Sequence, residues 1–280
     1  MKNQYISNGI LLAVFACWHP CICEAQATEA FSETYIKSQN PGFQQILDEA
    51  GLRGVILVLD PQSGTIFSND FARAESGHLP ASTFKIPNGI IGLETGVVEG
   101  EHTVFEWDGQ KRFLPEWEQD LSFAEAFRRS CVPCFQEIAR GIGAERMKEY
   151  LKKLRYGNMV PESPAIDRFW LEGDSRISAS QQIDFLYRFY FSELPISRRT
   201  ERIMKHLMVI EESEAGKLSG KTGWAIRGGN NLGWFVGYLE KGGNVYFVAT
   251  NVEPETAFSM DLFPLIRRKV AVKALESVAR

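Results

Sequence analysis

Ser82 and Lys85 stand three residues apart in Ser82-Thr83-Phe84-Lys85. On a helix that spacing puts a hydroxyl and an amine on one face, one turn apart. A serine hydroxyl alone is a poor nucleophile, and a neighbouring base that removes its proton makes it a good one. A helix start adds backbone N–H groups with no partner inside the helix, which can face an oxyanion as it forms. The plain alternative is an ordinary helix start, with Ser82 as N-cap and Lys85 in water. The flanking residues speak against it. Phe84, Ile86, Ile90, Ile91 and Leu93 make the segment apolar nearly all round, as in a buried helix, and a lysine is rarely buried without a partner or a task.

Two more groups carry chemistry. Ser130-Cys131-Val132 follows about fifty residues later, and Lys221-Thr222-Gly223 comes late, in a strand-like stretch; the chain holds one Ser-x-x-Lys and one Lys-Thr-Gly. Cys131 and Cys134 form a C-x-x-C pair with no second pair or His-x-x-x-His to complete a zinc site. The pair fits either a disulfide made in an oxidising compartment or two small buried thiols flanking Pro133. His78, His102 and His206 are scattered and give no support to a Ser-His-Asp arrangement.

The elements that must position these residues follow from periodicity and turn residues. Gly54–Asp60 and Thr65–Ser68, joined at Pro61-Gln62-Ser63-Gly64, predict a β-hairpin. A buried helix starts at Ser82 and ends near Gly96. Residues 100–210 read as mostly helical. Ser122 with Glu125 and Ser178 with Gln181 make capping boxes, and Pro133 suits the first turn of a helix ending near Gly141. A further helix carrying Met147, Tyr150, Leu151 and Leu154 breaks at Tyr156-Gly157-Asn158, where Gly157 fits a left-handed C-terminus. The strand Gly216–Trp224 enters a Gly-rich loop. Strands 232–239 and 245–251 meet at the turn Lys241-Gly242-Gly243-Asn244, and a terminal helix spans Met260–Ala279. The order strands, helices, strands, helix predicts an α/β (α+β) fold. Its N- and C-terminal strands share one central antiparallel sheet, with helices on both faces and a helical lobe.

Of the 280 residues 44% are hydrophobic and 24% charged, an ordinary globular composition, and the formal net charge of −4 gives no case for nucleic acid. The basic run Arg267-Arg268-Lys269 reads as the solvated face of the terminal helix. At the N-terminus, a lysine, the apolar run Ile10–Trp18 and Ala25-Gln26-Ala27 predict a cleavable signal peptide over residues 1–27. A single catalytic domain over 28–280 and a periplasmic location follow. Ala16-Cys17 leaves a lipoprotein reading open, though Phe15 is bulky for it. The apolar run is short for a membrane span, and no other stretch could cross one.

In combination the motifs resemble the active-site elements of serine β-lactamases and penicillin-binding proteins. Ser130-x-Val132 in place of Ser-Asp-Asn, with Tyr156-Gly157-Asn158 and Phe169-Trp170-Leu171-Glu172-Gly173, resembles the class D, oxacillinase-type β-lactamases over nearly all of the mature chain. That resemblance implies Ser82 as the acylated nucleophile and Lys85 as a lysine that reacts with CO2 to become a carbamate, N6-carboxylysine. It implies Ser130 as the proton shuttle to the β-lactam nitrogen and Trp170 as the indole donor to the carbamate. The substrate-binding set is Val132, Lys221, Thr222, Gly223, Trp224 and Arg267. Lys221, Thr222 and Arg267 would hold the substrate carboxylate, and the N–H groups of Ser82 and Trp224 would form the oxyanion hole. Glu172 is expected to be structural.

The physics agrees with that assignment. Only a neutral amine attacks CO2, and burial among groups such as Phe84, Val132, Phe135, Trp170 and Leu171 depresses a lysine pKa. CO2 or bicarbonate is then the one co-reactant, with no bound cofactor and no metal. A small β-lactam is the expected partner, and oligomeric state is not legible. The function expected is a secreted hydrolase that opens the β-lactam ring and confers antibiotic resistance. A penicillin-binding sensor domain or a D,D-peptidase, acylated without turnover, is the alternative.

Overall fold

The computed structural model describes residues 34–279; the expected signal peptide and the first residues of the mature chain lie outside them. In chain order, β1 (Ile36–Gln39) leads into α1 (Pro41–Glu49), which Asn40 caps through its side chain. Then come the hairpin β2 (Leu52–Asp60) and β3 (Thr65–Ser68), α2 (Phe71–Glu75), a 3-10 turn over Ala81–Phe84 and α3 (Lys85–Glu94). The middle of the chain supplies β4 (Val104–Phe105), β5 (Leu121–Ser122), α4 (Phe123–Arg128), α5 (Val132–Ile142), α6 (Ala144–Leu154), α7 (Ala179–Tyr190) and α8 (Arg198–Leu207). Strands β6 (Val209–Ser213), β7 (Gly216–Arg227), β8 (Asn230–Lys241) and β9 (Asn244–Pro254) follow, and α9 (Phe263–Val278) ends the fold.

Seven strands form one sheet in the order β1-β3-β2-β9-β8-β7-β6. Its pairings are antiparallel, except that β1 lies parallel to β3 at one edge. The sheet therefore joins the N-terminal hairpin to the C-terminal strands through β2 and β9, where Gly54 faces Val252. Side chains alternate across a strand, and β2 shows it. Ile56 and Val58 pack with Phe43, Leu47, Phe263 and Ala271 under α1 and α9. Val55, Leu57 and Leu59 pack with Phe84, Ile90, Ile183 and Phe189 toward the helical lobe.

The structure corrects several sequence expectations. The stretch 100–210 is less helical than its periodicity implied. Residues 106–120 form a loop closed by the short β4–β5 pair, with Glu118 accepting from Arg112 N and Asp120 from Trp107 N. Residues 156–178 carry two isolated bridges, His78–Ile177 and Asn158–Arg176, instead of helix. Strand β7 does not stop at Trp224; it runs to Arg227 and turns tightly at Gly228-Gly229, so the expected loop is a hairpin. Strand β1 is short and largely exposed, which left no apolar signal to read. Both capping boxes, at Ser122 and Ser178, are present. Among the described residues no helix is long and apolar enough to cross a membrane.

Candidate active site

Ser82 does not begin an α-helix. It sits in the 3-10 turn, with no side-chain cap, and the α-helix starts at Lys85. Ala81 before it has φ +48°, a left-handed conformation that costs a non-glycine residue about 1–3 kcal/mol. The surroundings hold it there. Ala81 N donates to Trp170 O at 2.9 Å, Trp234 Nε1 donates to Leu79 O at 2.8 Å, and His78 pairs with Ile177. Beneath the turn runs a buried chain: Tyr156 Oη to Gln182 Oε1 at 3.3 Å, Gln182 Nε2 to Thr83 Oγ1 at 2.9 Å, Thr83 Oγ1 to Pro80 O at 2.7 Å. Tyr156 thus belongs to the floor of the site, and Gly157 beside it is left-handed at φ +56°.

Every residue from Lys85 to Leu93 is buried, so α3 is a core helix with one amine in it. Lys85 Nζ donates to Ser82 Oγ at 2.8 Å and lies 5.3 Å from the Phe135 ring centroid. Lys85 is fully buried while Ser82 is partly exposed, so the amine is dry and the hydroxyl reachable. Burial, and secondarily the charge of Lys221, hold the Lys85 pKa well below its ordinary value. Trp170 stacks on Phe84 at 5.2 Å, and Phe84 meets Phe169 edge-on at 4.9 Å. The Trp170 indole N–H is fully buried and has no hydrogen-bond partner among the described residues. A buried indole donor normally has one. Glu172 is exposed and paired with Arg168 at 3.0 Å, away from the amine.

Lys221 Nζ donates to Ser130 Oγ at 3.0 Å, which joins the middle and late motifs. Burial, then the nearby Arg267 charge, lower the Lys221 pKa to about 7. Ser130 lies between α4 and α5 at φ +55°, again left-handed for a non-glycine residue. Val132, partly exposed, opens α5. Cys131 and Cys134 are joined by a disulfide, which settles the choice between a bond and two free thiols.

Strand β7 passes close over the 3-10 turn. A Cβ at Gly223 would meet Pro80 O and Thr83 Cγ2 at 3.1 Å, so a side chain there would press the strand off the turn. Thr222 and Trp224 alternate to the other side and are partly exposed. Trp224 packs edge-on against Phe263 at 5.4 Å. The basic run divides: Arg268 and Lys269 face solvent, and Arg267 is buried. Its guanidinium lies 5.4 Å from the Trp224 ring and donates to Gly223 O and Phe263 O. It can lie flat there because Gly233 has no side chain; a Cβ would meet Arg267 Cδ at 2.6 Å. Burial lowers the Arg267 pKa to about 10.

All ten residues singled out from the sequence therefore converge on the junction of the 3-10 turn, α5, β7 and α9. The sequence did not reveal their supports: Ala81, Asn88, Trp117, Gln182 and Trp234. Asn88 Nδ2 donates to Phe135 O at 3.0 Å, and Trp117 Nε1 donates to Arg129 O at 3.0 Å. A polar residue inside an apolar helix, as at Asn88, was the only signal available.

Comparison with known proteins follows the same geometry. A family model for the penicillin-binding protein transpeptidase domain matches residues 54–262. β-Lactamase OXA-10 of Pseudomonas aeruginosa is 41% identical over 243 residues, covering 86% of this chain and 90% of that protein. β-Lactamase OXA-48 of Klebsiella pneumoniae is 39% identical over 232 residues, 83% of this chain and 87% of its own length. Among solved structures, the class D β-lactamase YbXI from Nostoc superposes with a TM-score of 0.80 at 41% identity, covering 85% of this chain and 98% of that one. A class D β-lactamase from Sebaldella termitidis superposes with a TM-score of 0.83 at 34% identity, covering 88% and 98%.

Proposed function

The chain belongs to the class D serine β-lactamases, and from that premise we propose that it hydrolyses β-lactams through an acyl-enzyme on Ser82, with carboxylated Lys85 as general base. One observation carries the reading: an amine with depressed pKa is fully buried, hydrogen-bonded to Ser82 and facing the Phe135 ring, and next to it in sequence is Phe84, on which stacks the Trp170 indole, a donor without an acceptor among the described residues. An uncharged amine can add CO2, and the resulting anion needs a donor in a dry site. Lys85 and Trp170 fit that group. When present it supplies an anionic oxygen as base for both half-reactions.

The chain's own residues do the rest. Ser82 Oγ attacks the lactam carbonyl. The N–H groups of Ser82, in the first turn, and of Trp224, on β7, take the developing oxyanion. As the C–N bond breaks, Ser130 hands a proton to the nitrogen, with Lys221 holding its hydroxyl. Lys221, Thr222 and Arg267 bind the substrate carboxylate. Two cations depressed by burial face that position, and an anion there relieves their repulsion. Val132 and Gly223 complete the proposed substrate-binding set.

The same reading makes the protein a periplasmic resistance enzyme exported by a cleavable N-terminal signal. Ser82→Ala tests the core of it. After penicillin exposure the variant should show no mass adduct, the wild type should turn a chromogenic cephalosporin over repeatedly, and a full-size adduct on the variant would sink the nucleophile assignment. A sensor or peptidase would instead acylate once and stop.

A further inference from the structure

We infer that the Cys131–Cys134 disulfide is a positioning device for Ser130: it locks the first turn of α5 and so keeps the proton-relay hydroxyl in its left-handed conformation. The inference rests on the reading of Ser130 given above. The link between α4 and α5 is only Arg129, Ser130 and Cys131. Ser130 is strained at φ +55°. Hydrogen bonds hold it from behind: Ser130 N to Phe127 O at 3.2 Å, Cys131 N to Ala126 O at 2.9 Å, and Trp117 Nε1 to Arg129 O at 3.0 Å. On the forward side the residue that caps α5 is Cys131, whose sulfur accepts from Cys134 N at 3.2 Å.

Serine, threonine, aspartate and asparagine are the strong N-caps, and sulfur is a weak acceptor. At this helix start the covalent bond to Cys134 supplies what the hydrogen bond cannot. The bond closes a very short loop, and a short loop removes little chain entropy from the unfolded state. Its effect is therefore local. Cys131 is 1% exposed and Cys134 7% exposed, so the pair is no exchange centre for a protein thiol, although C-x-x-C at a helix start is the pattern of one. It sits between two working parts: Ser130 precedes it, and Phe135, against Lys85, follows.

Three mature proteins test this by single-turnover kinetics: the wild type, Cys134→Ala, and Cys131→Ser combined with Cys134→Ala. In Cys134→Ala the disulfide is gone and only a thiol cap remains. Its acylation rate should fall about tenfold or more, with deacylation of the preformed acyl-enzyme changed less than about twofold. The double variant also lacks the disulfide but gains a strong hydroxyl cap, and it should recover most of the acylation rate. A purely stabilising disulfide predicts the opposite pattern: equal small losses in both half-reactions and no rescue by serine. Either that pattern or an unchanged acylation rate in Cys134→Ala overturns the inference. Ser130→Ala separates the premise. If it leaves acylation unchanged, the relay reading fails and this inference with it; if it slows acylation while Cys134→Ala does not, the disulfide inference alone fails.

Discussion

On the proposed reading, Lys85 works as a base because of what it is denied. Fully buried, with the Lys221 charge near it and no carboxylate paired with it among the described residues, its charged form is penalised, and the neutral amine is the form that can take up CO2. Trp170→Phe keeps a ring on Phe84 and removes the indole donor. The variant should require more bicarbonate for the same rate and accumulate acyl-enzyme under steady turnover. A carbon-13 resonance from labelled bicarbonate should appear in the wild type and be absent in Lys85→Ala. Activity indifferent to bicarbonate after degassing at mildly acidic pH would make Lys85 an unmodified amine base. Lys221 has a different pH signature. With a pKa of about 7 it is mostly cationic at pH 6 and mostly neutral at pH 8. An anionic ligand favours the cation, so binding above pH 7 takes up a proton and weakens as pH rises. Measured on the Ser82→Ala protein, the Kd of a carboxylate-bearing β-lactam should increase from pH 7 to 9, by up to about tenfold per unit. Lys221→Met should bind weakly with no such slope; a wild-type Kd that is flat with pH would remove Lys221 from carboxylate recognition.

The elements matter through how closely they approach. Gly223 brings β7 against the 3-10 turn, where a methyl group would meet Pro80 O and Thr83 Cγ2 at 3.1 Å, tighter than ordinary contact. Gly223→Ala should shift the strand by a few tenths of an ångström, displace the Trp224 N–H and lower kcat/KM about 10–100-fold, since small misplacements in a catalytic site are expensive. An unaltered kcat/KM in that variant would mean the contact does not set the oxyanion site. Local features of this kind were legible in the sequence. The capping boxes at Ser122 and Ser178, the Gly242-Gly243 turn and the apolar faces of α3 each depend on a few adjacent residues. The left-handed backbone at Ala81 and Ser130 was not, because neither residue type favours it and distant contacts impose it. Gln182 was invisible for the same reason: its partner Thr83 lies 99 residues away. The strand β1 was missed because a short, polar, exposed stretch carries no periodic pattern.

For the whole molecule the proposed export step has a direct check. Protein recovered from the periplasm should begin near Thr28 on N-terminal sequencing, and a full-length chain retained in the cytoplasm would refute the signal reading. The sheet bears on that step. Its centre pairs β2 with β9, so Gly54 meets Val252 across nearly two hundred residues of intervening chain. Pairings that distant raise contact order, and chains with high contact order fold slowly. At about 5–20 residues per second, β2 leaves the ribosome on the order of ten seconds or more before its central partner exists. Until then the N-terminal hairpin has no neighbour on that side, and Ser82 has no Lys221. Through most of its synthesis the nascent chain therefore lacks both the centre of its sheet and the Lys221 side of the site. It is still without its native fold, the condition a chain needs to be threaded across a membrane, and without the assembled groups that would react with a β-lactam.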